Sequence, residues 1–521
     1  MRGRFFLACV ATLFAAFSLA GCGFGGSDKP FTILIPVEAE TLDPHFTTST
    51  VEWTILMNVQ EGLAARDTNM QPVPALAERW EVDPSRKAWT FHLRPGVKFQ
   101  NGEPLDARAV KFTFERMQDE KLNAQIEVAK SIALERVEEV DTHTVRLHTR
   151  MPVAFLPAWL VNAFILPPKY YSSTPPREVL SKPVGTGPYK LTAWVKGDHI
   201  RMEANPGWWK GKPKIPAVVW RGVPIPTARA KELESGDADL ITDITVDQAK
   251  ALEGKVGGIS VFKVQSGRRV YIGIRTDWGP FGDRRVRQAM NYAVNFDRIT
   301  DKFLRGYGTR MASVVLYPNN NPNVERYPYD PAKAKALLAE ASLKDTDGDG
   351  VLEYNGVPLR LKMDVPMDRY LQGENIAEAV TADLRAVGIH VEIQWLAWPA
   401  FLSSQRKKTL APLYFHGLSS AFIEETDLGV VRPGLFANLT GWKNPAFTED
   451  YRLLQQRWDV KGREKISYDL QALIREEAPW IFLWNQFEFF AGSARILWWT
   501  PRSDERIYIP DIQLKEAQTR N

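Results

Sequence analysis

The sequence predicts an α/β protein with about three lobes. The chain has 521 residues, more than one compact hydrophobic core normally supports. Segments with the apolar periodicity of strands and of helices alternate along most of the chain. A stretch dense in proline and glycine, residues 182–189 (KPVGTGPY), interrupts them and predicts a crossing between domains. The apolar fraction of 44% is that of a folded chain, which excludes disorder for the bulk of the protein.

The first 22 residues resemble an export signal that ends in a lipidation site. Basic residues precede a mostly apolar run, Phe5 to Ala20, which is shorter than the roughly 20 residues of a membrane-spanning helix. The run ends in Leu-Ala-Gly-Cys, similar to the lipobox of bacterial lipoproteins, in which the cysteine thiol carries the lipid. We therefore predict a signal peptide over residues 1–21, lipidation of Cys22 and a lipidated tether over 22–30.

Cysteine content and charge exclude several classes of function. The other cysteine, Cys9, lies inside the predicted signal, so the mature chain has no disulfide and no thiol chemistry. The net charge of +4 is small for this length, and we expect no nucleic-acid partner.

The first half of the chain predicts strands and helices in alternation. Asp106 is the expected N-cap of a helix, because its carboxylate can accept a backbone N–H at the helix start. The predicted elements are a buried strand at 31–36, helix-spaced apolar positions over 51–65, a strand at 88–93, a helix at 105–116 and a strand–turn–strand at 137–147. At the crossing, we expect Gly185 and Gly187 to adopt backbone conformations closed to other residues.

The second half continues the mixed pattern. Alanine- and leucine-rich segments have strong helix propensity. The predicted elements are helices at 332–341 and 374–387, a strand at 391–395, a mostly helical segment at 451–474, and an aromatic, strand-like segment at 480–509.

Several motifs, in this order, resemble the extracellular solute-binding proteins of family 5, which serve peptide and nickel importers. The motifs are LDPH at 42–45, PALAERW at 74–80 with WTFHLRPGVKF at 89–99, NGEPL at 101–105, GTGPY at 185–189, ESGDAD at 234–239 and VRQAMNYAVN at 286–295. The resemblance covers nearly the whole mature chain.

This resemblance implies a periplasmic-binding-protein fold, in which two lobes close over a ligand and an extra domain is inserted in the first lobe. We expect lobe I to be discontinuous, with the inserted domain and lobe II each continuous. The expected ranges are 31–50, 184–270 and 480–521 for lobe I, 51–183 for the inserted domain and 271–479 for lobe II.

The implied function is capture of a peptide or peptide-like solute by hinge closure and delivery to the permease of an ABC transporter. We expect a non-enzymatic monomer, without cofactor or metal centre, lipid-anchored on the periplasmic side of the cell envelope. A non-peptide solute is the alternative: nickel or another metal chelate, an opine or a sugar conjugate. A hydrolase is the remaining alternative, since carboxylate pairs are not visible in sequence, although no G-x-S-x-G, H-E-x-x-H or P-loop motif is present.

One loop departs from the peptide-binding pattern. Peptide-binding relatives hold the ligand with a Trp and an Asp, and Leu418 and Ala421 stand near those positions here. The carboxylates of Glu424, Glu425 and Asp427 follow closely and could substitute, but solvated surface charges are the favoured interpretation.

The resemblance also indicates candidate ligand contacts. Arg275 would suit a carboxylate or phosphate through its planar guanidinium, with a structural ion pair as the favoured alternative. His416 resembles a position that contacts a metal chelate in nickel-binding relatives, although a lone histidine is more often structural. The full set of predicted ligand-binding residues is Glu38, Glu40, Tyr271, Arg275, Trp278, His416, Leu418, Ser419 and Trp484.

An acidic stretch, Asp345 to Gly350 (DTDGDG), looks like the first half of a calcium loop. Gly356 stands where the bidentate glutamate would be, so a polar turn is the favoured interpretation.

Overall fold

The structure is a computed structural model that describes residues 29–47, 49–122, 128–255, 257–317, 319–367, 369–434 and 438–516. The predicted signal peptide and Cys22 lie outside these residues. Within them, no helix has both the length and the apolar character needed to cross a membrane.

The strands range from two-residue pairings to two long strands near the middle and the end of the chain. In chain order they are β1 (Phe31–Ile35), β2 (Ala64–Arg66), β3 (Pro72–Pro74), β4 (Ala77–Val82), β5 (Ala88–Leu93), β6 (Leu134–Asp141), β7 (Thr144–Thr149), β8 (Tyr189–Val195), β9 (His199–Ala204), β10 (Ala217–Gly222), β11 (Leu240–Ile241), β12 (Ser260–Ile274), β13 (Gly308–Arg310), β14 (Glu353–Tyr354), β15 (Val357–Pro358), β16 (Arg360–Pro366), β17 (His390–Leu396), β18 (Leu413–Ser419), β19 (Trp480–Gly492), β20 (Ile496–Trp498) and β21 (Gln513–Leu514).

The helices are mostly short and pack on the sheets. They are α1 (Thr50–Leu56), α2 (Ala107–Gln118), α3 (Val128–Ser131), α4 (Leu156–Trp159), α5 (Pro168–Ser173), α6 (Pro176–Val179), α7 (Pro226–Ser235), α8 (Val246–Leu252), α9 (Arg284–Ala293), α10 (Phe296–Phe303), α11 (Pro331–Glu340), α12 (Gly373–Arg385), α13 (Trp398–Lys407), α14 (Glu424–Gly429), α15 (Pro445–Gln456) and α16 (Val460–Glu477), with short 3-10 helices at Leu160–Asn162, Gly279–Gly282 and Ile509–Asp511.

One large sheet runs through both lobes. Its strand order is β17-β16-β18-β12-β19-β11-β1-β10-β9-β8, and β13 also pairs with β19. The antiparallel strands β12 and β19 pair from Ser260–Gly492 to Gly273–Trp480 and carry the sheet from one lobe to the other. The ladder slips between Gln265 and Arg269, a bulge that bends a strand and re-aims its side chains.

The hydrophobic residues form separate clusters. The second-lobe cluster contains Val270 to Ile274 of β12 and Trp480 to Trp484 of β19. The first lobe has a cluster around β1 and another that includes Phe489 and Ala491 at the opposite end of β19. A further cluster surrounds the four-stranded sheet β4-β5-β7-β6 of the inserted domain. The two long strands therefore contribute to the cores of both lobes.

The exact domain boundaries stay a prediction. Helix α1, which the expected boundary at residue 51 places in the inserted domain, contributes Trp53, Ile55 and Leu56 to the first-lobe cluster around β1. The range 480–521 begins with residues of β19 that pack in the second lobe.

Most predicted elements are present within a few residues of their expected bounds. Asp106 caps α2 by accepting the N–H of Ala109 at 3.1 Å. The helix-spaced segment 51–65 is an exception, because α1 ends at Leu56. Beyond it, the carbonyls of Asn58 and Val59 accept N–H groups of Tyr189 and Gly187 at 2.8 and 3.0 Å. Pairing with the Pro/Gly stretch therefore replaces further helical turns.

The expectation that Gly185 and Gly187 adopt backbone conformations closed to other residues is wrong. Neither has a positive φ. A Cβ on Gly185 would lie 2.2 Å from the carbonyl oxygen of Val59, and one on Gly187 would lie 2.7 Å from the carbonyl carbon of the same residue. Close backbone approach, rather than an unusual backbone conformation, requires glycine here.

Candidate functional site

A small cavity lies between the lobes, where the two long strands cross. Its volume is about 50 Å³. It is lined by Ile35, Pro36, Thr50, Val51, Thr54, Thr242, Asp243, Arg268, Arg369, Glu488, Phe490, Glu505 and Ile507. Its lining thus comes from the first lobe, the long strands β12 and β19, the second lobe and the C-terminal segment after β20.

Strand topology explains why these residues meet. The parallel strands β1 and β11 end side by side, so the residues that follow them, Pro36 and Asp243, lie at one edge of the sheet. Crevices at the carboxyl ends of parallel strands are frequent ligand sites. The bulge in β12 lies next to Arg268, β19 supplies Glu488, and Arg369 follows β16 from the opposite lobe.

Arg268 and Glu505 form a buried, bidentate ion pair on the cavity wall. Arg268 Nε donates to Glu505 Oε1 at 3.0 Å, and Nη2 donates to Oε2. Burial lowers the pKa of Arg268, but the carboxylates of Glu505 and Glu488 outweigh this effect and raise it overall. The pair joins β12 to the C-terminal segment. The Arg268 guanidinium already donates two hydrogen bonds to Glu505, so it is not the group left for a ligand.

Glu488 is a buried acid in the same wall. It is 5% exposed and accepts a hydrogen bond from Gln486 Nε2. Burial, followed by the nearby carboxylates of Asp243 and Glu505, raises the pKa of Glu488 well above its ordinary value. A cation placed beside it would relieve this crowding of carboxylates.

Arg369 faces the cavity from the second lobe. Its guanidinium carbon lies 4.9 Å from the ring centroid of Trp398 and 5.4 Å from that of Tyr370. The buried Nε has no hydrogen-bond partner among the described residues. A buried donor without a partner costs free energy that a ligand acceptor could recover.

The cavity therefore combines an arginine with two acidic side chains. Arg369 can receive an anionic group, whereas Glu488 and Asp243 can receive a cationic one. Because the two signs come from different lobes, closure over a zwitterion would bring complementary charges together.

None of the nine predicted ligand-binding residues lines this cavity. Tyr271, His416 and Trp484 lie in the second-lobe core, and Trp278 packs against it. Leu418 and Ser419 end β18 beside Arg269, and Glu40 is exposed. Glu38 lines a narrow crevice of the first lobe with Trp194 and Asp198. Their contact with a ligand stays a prediction.

Arg275 lies away from the interlobe cavity. It donates to Asp277 at 2.9 and 3.1 Å and lines a different cavity with Lys408 and Lys443. The arrangement matches the favoured interpretation of a structural ion pair.

His416 is part of a buried aromatic stack. Its ring lies 5.8 Å from that of Tyr271, which stacks on Trp480 at 3.6 Å. Burial lowers the pKa of His416 to about 4, and Nδ1 lies 2.9 Å from the carbonyl oxygen of Gly417. The imidazole is therefore neutral near pH 7.

Three carboxylates that follow Ala421 in the sequence were expected to be solvated surface charges. This interpretation is wrong for Glu425 and Asp427. Both are 2% exposed. Asp427 pairs with Arg269 at 3.1 Å and accepts from Ser420 Oγ at 2.6 Å, and Glu425 accepts from Gln455 Nε2 at 2.6 Å. These carboxylates hold the loop in place.

The acidic loop brings carboxylate oxygens of Asp345, Asp347 and Glu353 within 4.8 Å of one another. Asp345 accepts N–H groups of Gly348 and Gly350, and Asp349 pairs with Arg360 at 3.2 Å. These internal contacts are those of a polar turn.

Sequence reasoning missed the charged residues of the cavity. Glu488 offered a signal, because a carboxylate inside the aromatic run WIFLWNQFEFFAG of β19 needs a buried partner or a function. Arg268 offered a weaker signal, as a basic residue within a strand that is buried from residue 266 onward.

Comparison with known proteins agrees with this architecture. The sequence model described as "Bacterial extracellular solute-binding proteins, family 5 Middle" matches residues 71–427. The chain belongs to the bacterial extracellular solute-binding proteins of family 5. The resemblance seen in the motifs is thereby confirmed.

Curated relatives of this family 5 chain include glutathione-binding proteins. The protein GsiB of Pectobacterium atrosepticum is 28% identical over 508 residues, covering 94% of this chain and 95% of the relative. GsiB of Escherichia coli O1:K1 / APEC is 32% identical over 340 residues, covering 64% of this chain and 65% of the relative.

Solved structures share the fold of this family 5 chain. The oligopeptide-binding protein AppA of Bacillus subtilis, in complex with a nonapeptide, aligns with a TM-score of 0.85 at 23% identity and covers 94% of this chain and 99% of its own. NikA of Brucella suis, in complex with Fe(III)-EDTA, aligns with a TM-score of 0.83 at 24% identity and covers 94% and 100%. The predicted two-lobed periplasmic-binding-protein fold is confirmed.

Proposed function

We propose that this chain is the solute-receiving component of an ABC importer and that its solute is a small zwitterionic peptide. The observation that supports the solute class is the interlobe cavity, which is lined by Arg369 of one lobe and by the acidic side chains of Glu488 and Asp243. A peptide with a free amine and a free carboxylate would satisfy both ends at once.

Glutathione is the first peptide to test. It carries an amine and carboxylates, and relatives named for binding it align with most of this chain. Structural relatives that hold a nonapeptide or a metal chelate share the fold alone. A metal chelate that lacks a free amine would supply no ligand cation to the crowded acidic side chains of Glu488 and Asp243.

The two lobes must separate to admit such a solute. The cavity of about 50 Å³ is smaller than any peptide. We propose that β12 and β19 form the hinge, because they are the long strands shared by the cores of both lobes. The proposed moving units are lobe I, the inserted domain and lobe II, with the ranges predicted from the sequence.

The experiment is a thermal unfolding series with matched ligands. Free glutathione, its N-acetylated form and its carboxamide form would be compared with Ni²⁺–histidine and with short peptides. A ligand at 100-fold its Kd stabilises the folded state by about 2.7 kcal/mol, which raises the unfolding temperature by roughly 2–3 °C in a protein of this size. Both blocked forms should give a smaller rise. Equal stabilisation by the blocked forms, or stabilisation by the nickel chelate alone, would contradict the zwitterion assignment.

We also propose that the mature chain is a lipoprotein without enzymatic activity, attached through Cys22 and monomeric. The apolar run and the lipobox-like residues support the anchor. Replacing the first 22 residues with a cleavable signal that lacks a lipobox should move the chain to the soluble fraction of cells. Retention of that variant in the membrane would refute the anchor, and release of amino acids from bound peptides would refute the non-enzymatic assignment.

A further inference from the structure

Two large apolar side chains stand exposed side by side on β20. Leu497 is 60% exposed and Trp498 is 55% exposed. The pairing of β20 with β21 slips between Ile496, which faces Leu514, and Trp498, which faces Gln513. This irregularity turns two consecutive residues outward, while Ile496 and Trp499 remain buried on either side.

The first described residues are fastened next to this pair. Arg495, which precedes β20, donates to the carbonyl oxygens of Lys29 and Pro30 at 3.2 and 3.5 Å. Its guanidinium is held by Asp239 at 2.8 Å, and Lys29 Nζ donates to the carbonyl oxygen of Gly236. Since Trp498 is three residues beyond Arg495, their Cα atoms lie within about 10 Å of each other.

Chain length limits how far this surface can be from the proposed anchor. Seven residue steps separate Cys22 from Lys29, which span at most about 25 Å even when fully extended. A lipid on Cys22 therefore places Lys29, and the exposed pair beside it, near the bilayer surface.

The chemistry of the surface fits a bilayer interface. Tryptophan has an apolar body and a polar N–H, which suits the boundary between lipid headgroups and acyl chains. The exposed Lys29 and Lys515 flank the pair, and the N–H of Lys515 donates to the carbonyl of Arg495 at 2.9 Å. Ammonium groups at such positions are attracted to lipid phosphates. Opposing carboxylates close to this surface include Glu516, the paired Asp239 and the exposed Asp237, which adjoins Gly236.

We propose that Leu497 and Trp498 contact the phospholipid bilayer and orient the first lobe on the membrane. This inference rests on the proposed lipidation of Cys22 and goes beyond solute binding. Two exposed residues add little membrane affinity of their own. Once a lipid anchor holds the chain at the bilayer, however, their contact with the same bilayer is effectively intramolecular and favours one orientation of the chain.

The test uses the lipidated full chain with one added cysteine. Both native cysteines should be unreactive, because Cys9 is removed with the signal and the Cys22 thiol carries the lipid. Leu497→Cys would be labelled with an environment-sensitive fluorophore and reconstituted into phosphatidylethanolamine–phosphatidylglycerol vesicles containing nitroxide-labelled lipid. Val460→Cys in the second lobe is the matched control, since Val460 is 69% exposed.

Quenching at position 497 should exceed that at position 460 at least about twofold, because interfacial groups sit within roughly 5–10 Å of the headgroup boundary. Adding Trp498→Ser to Leu497→Cys should reduce the quenching without changing the unfolding temperature. Equal quenching at 497 and 460, or no effect of Trp498→Ser, would overturn the bilayer contact alone. A native chain that takes up label at Cys22 and does not float with vesicles would overturn the anchor and the contact together.

Discussion

At the scale of single residues, charge and burial decide what the interlobe cavity can hold. Arg268 is occupied by Glu505, so the guanidinium left for a ligand is that of Arg369, whose Nε has no partner among the described residues. Glu488 is a buried acid crowded by other carboxylates. This division of roles makes the two groups separable by mutation.

Arg369→Gln should weaken binding of the zwitterionic solute, because it removes a charged hydrogen-bond donor from a buried site. The expected loss is about 2 kcal/mol, roughly 30-fold in Kd. Titration calorimetry with the free acid and with the carboxamide form of the solute measures it. The variant and the native chain should bind the carboxamide equally, and a similar loss for both ligands would show that Arg369 acts through packing rather than through the carboxylate.

His416 should make stability depend on pH. Burial lowers the pKa of His416 to about 4, so the unfolded state binds the proton first as the pH falls below the ordinary value near 6.5. Stability attributable to this residue is therefore complete above pH 6.5 and is lost by about 2–3 kcal/mol as the pH approaches 4.

His416→Phe should flatten this part of the pH profile, as measured by denaturant unfolding between pH 4 and pH 7. His199→Phe is the control, because His199 is half-buried beside the exposed carboxylate of Asp198. An unchanged slope in His416→Phe would mean that other groups set the acid sensitivity.

At the scale of elements, the crossing strands are held in register by close packing across the sheet. Gly273 of β12 faces Tyr414 of β18. A Cβ on Gly273 would lie 2.0 Å from Tyr414 Cζ, and Tyr414 is fully buried. The strand can pass over this ring only where the side chain is absent.

Gly273→Ala should therefore destabilise the second lobe by about 1–3 kcal/mol or more, since neither the ring nor the strand has room to move. Gly282→Ala is the matched control, because the nearest atom to its added Cβ is the carbonyl oxygen of Thr276 at 3.8 Å. Urea unfolding of both variants measures the difference. Equal midpoints would show that the sheet relaxes around the added methyl group.

At the scale of the whole molecule, a buried charge cluster ties distant parts of the chain together. Asp504 accepts from Arg502 Nε and Nη2 at 3.0 and 2.8 Å and lies 3.9 Å from Arg66 Nη1. Arg66, on β2 of the inserted domain, also donates to the carbonyl of Ala421 in the second lobe. Burial raises the pKa of Asp504, but Arg502, Arg506 and Arg66 outweigh it and lower the pKa overall.

Asp504→Asn should destabilise the protein by about 3–5 kcal/mol, because it leaves buried guanidinium groups without their shared carboxylate. Thermal unfolding measures the loss, and Asp469→Asn, which breaks an exposed helix pair with Lys465, should change stability by less than about 0.5 kcal/mol. Adding Arg66→Gln to Asp504→Asn should restore part of the loss. A loss no larger than that of the exposed pair would show that water reaches the cluster.

The sequence by itself determined the family, the α/β class and most elements, because motif order, apolar periodicity and caps such as Asp106 are local properties of the chain. Only the tertiary structure decided where α1 ends, why Gly185 must be glycine and which charges line the cavity. Each of these depends on a partner far away in sequence: Val59 meets Gly185, and Arg268 meets Glu505. No local pattern encodes the distance between residues that only folding brings together.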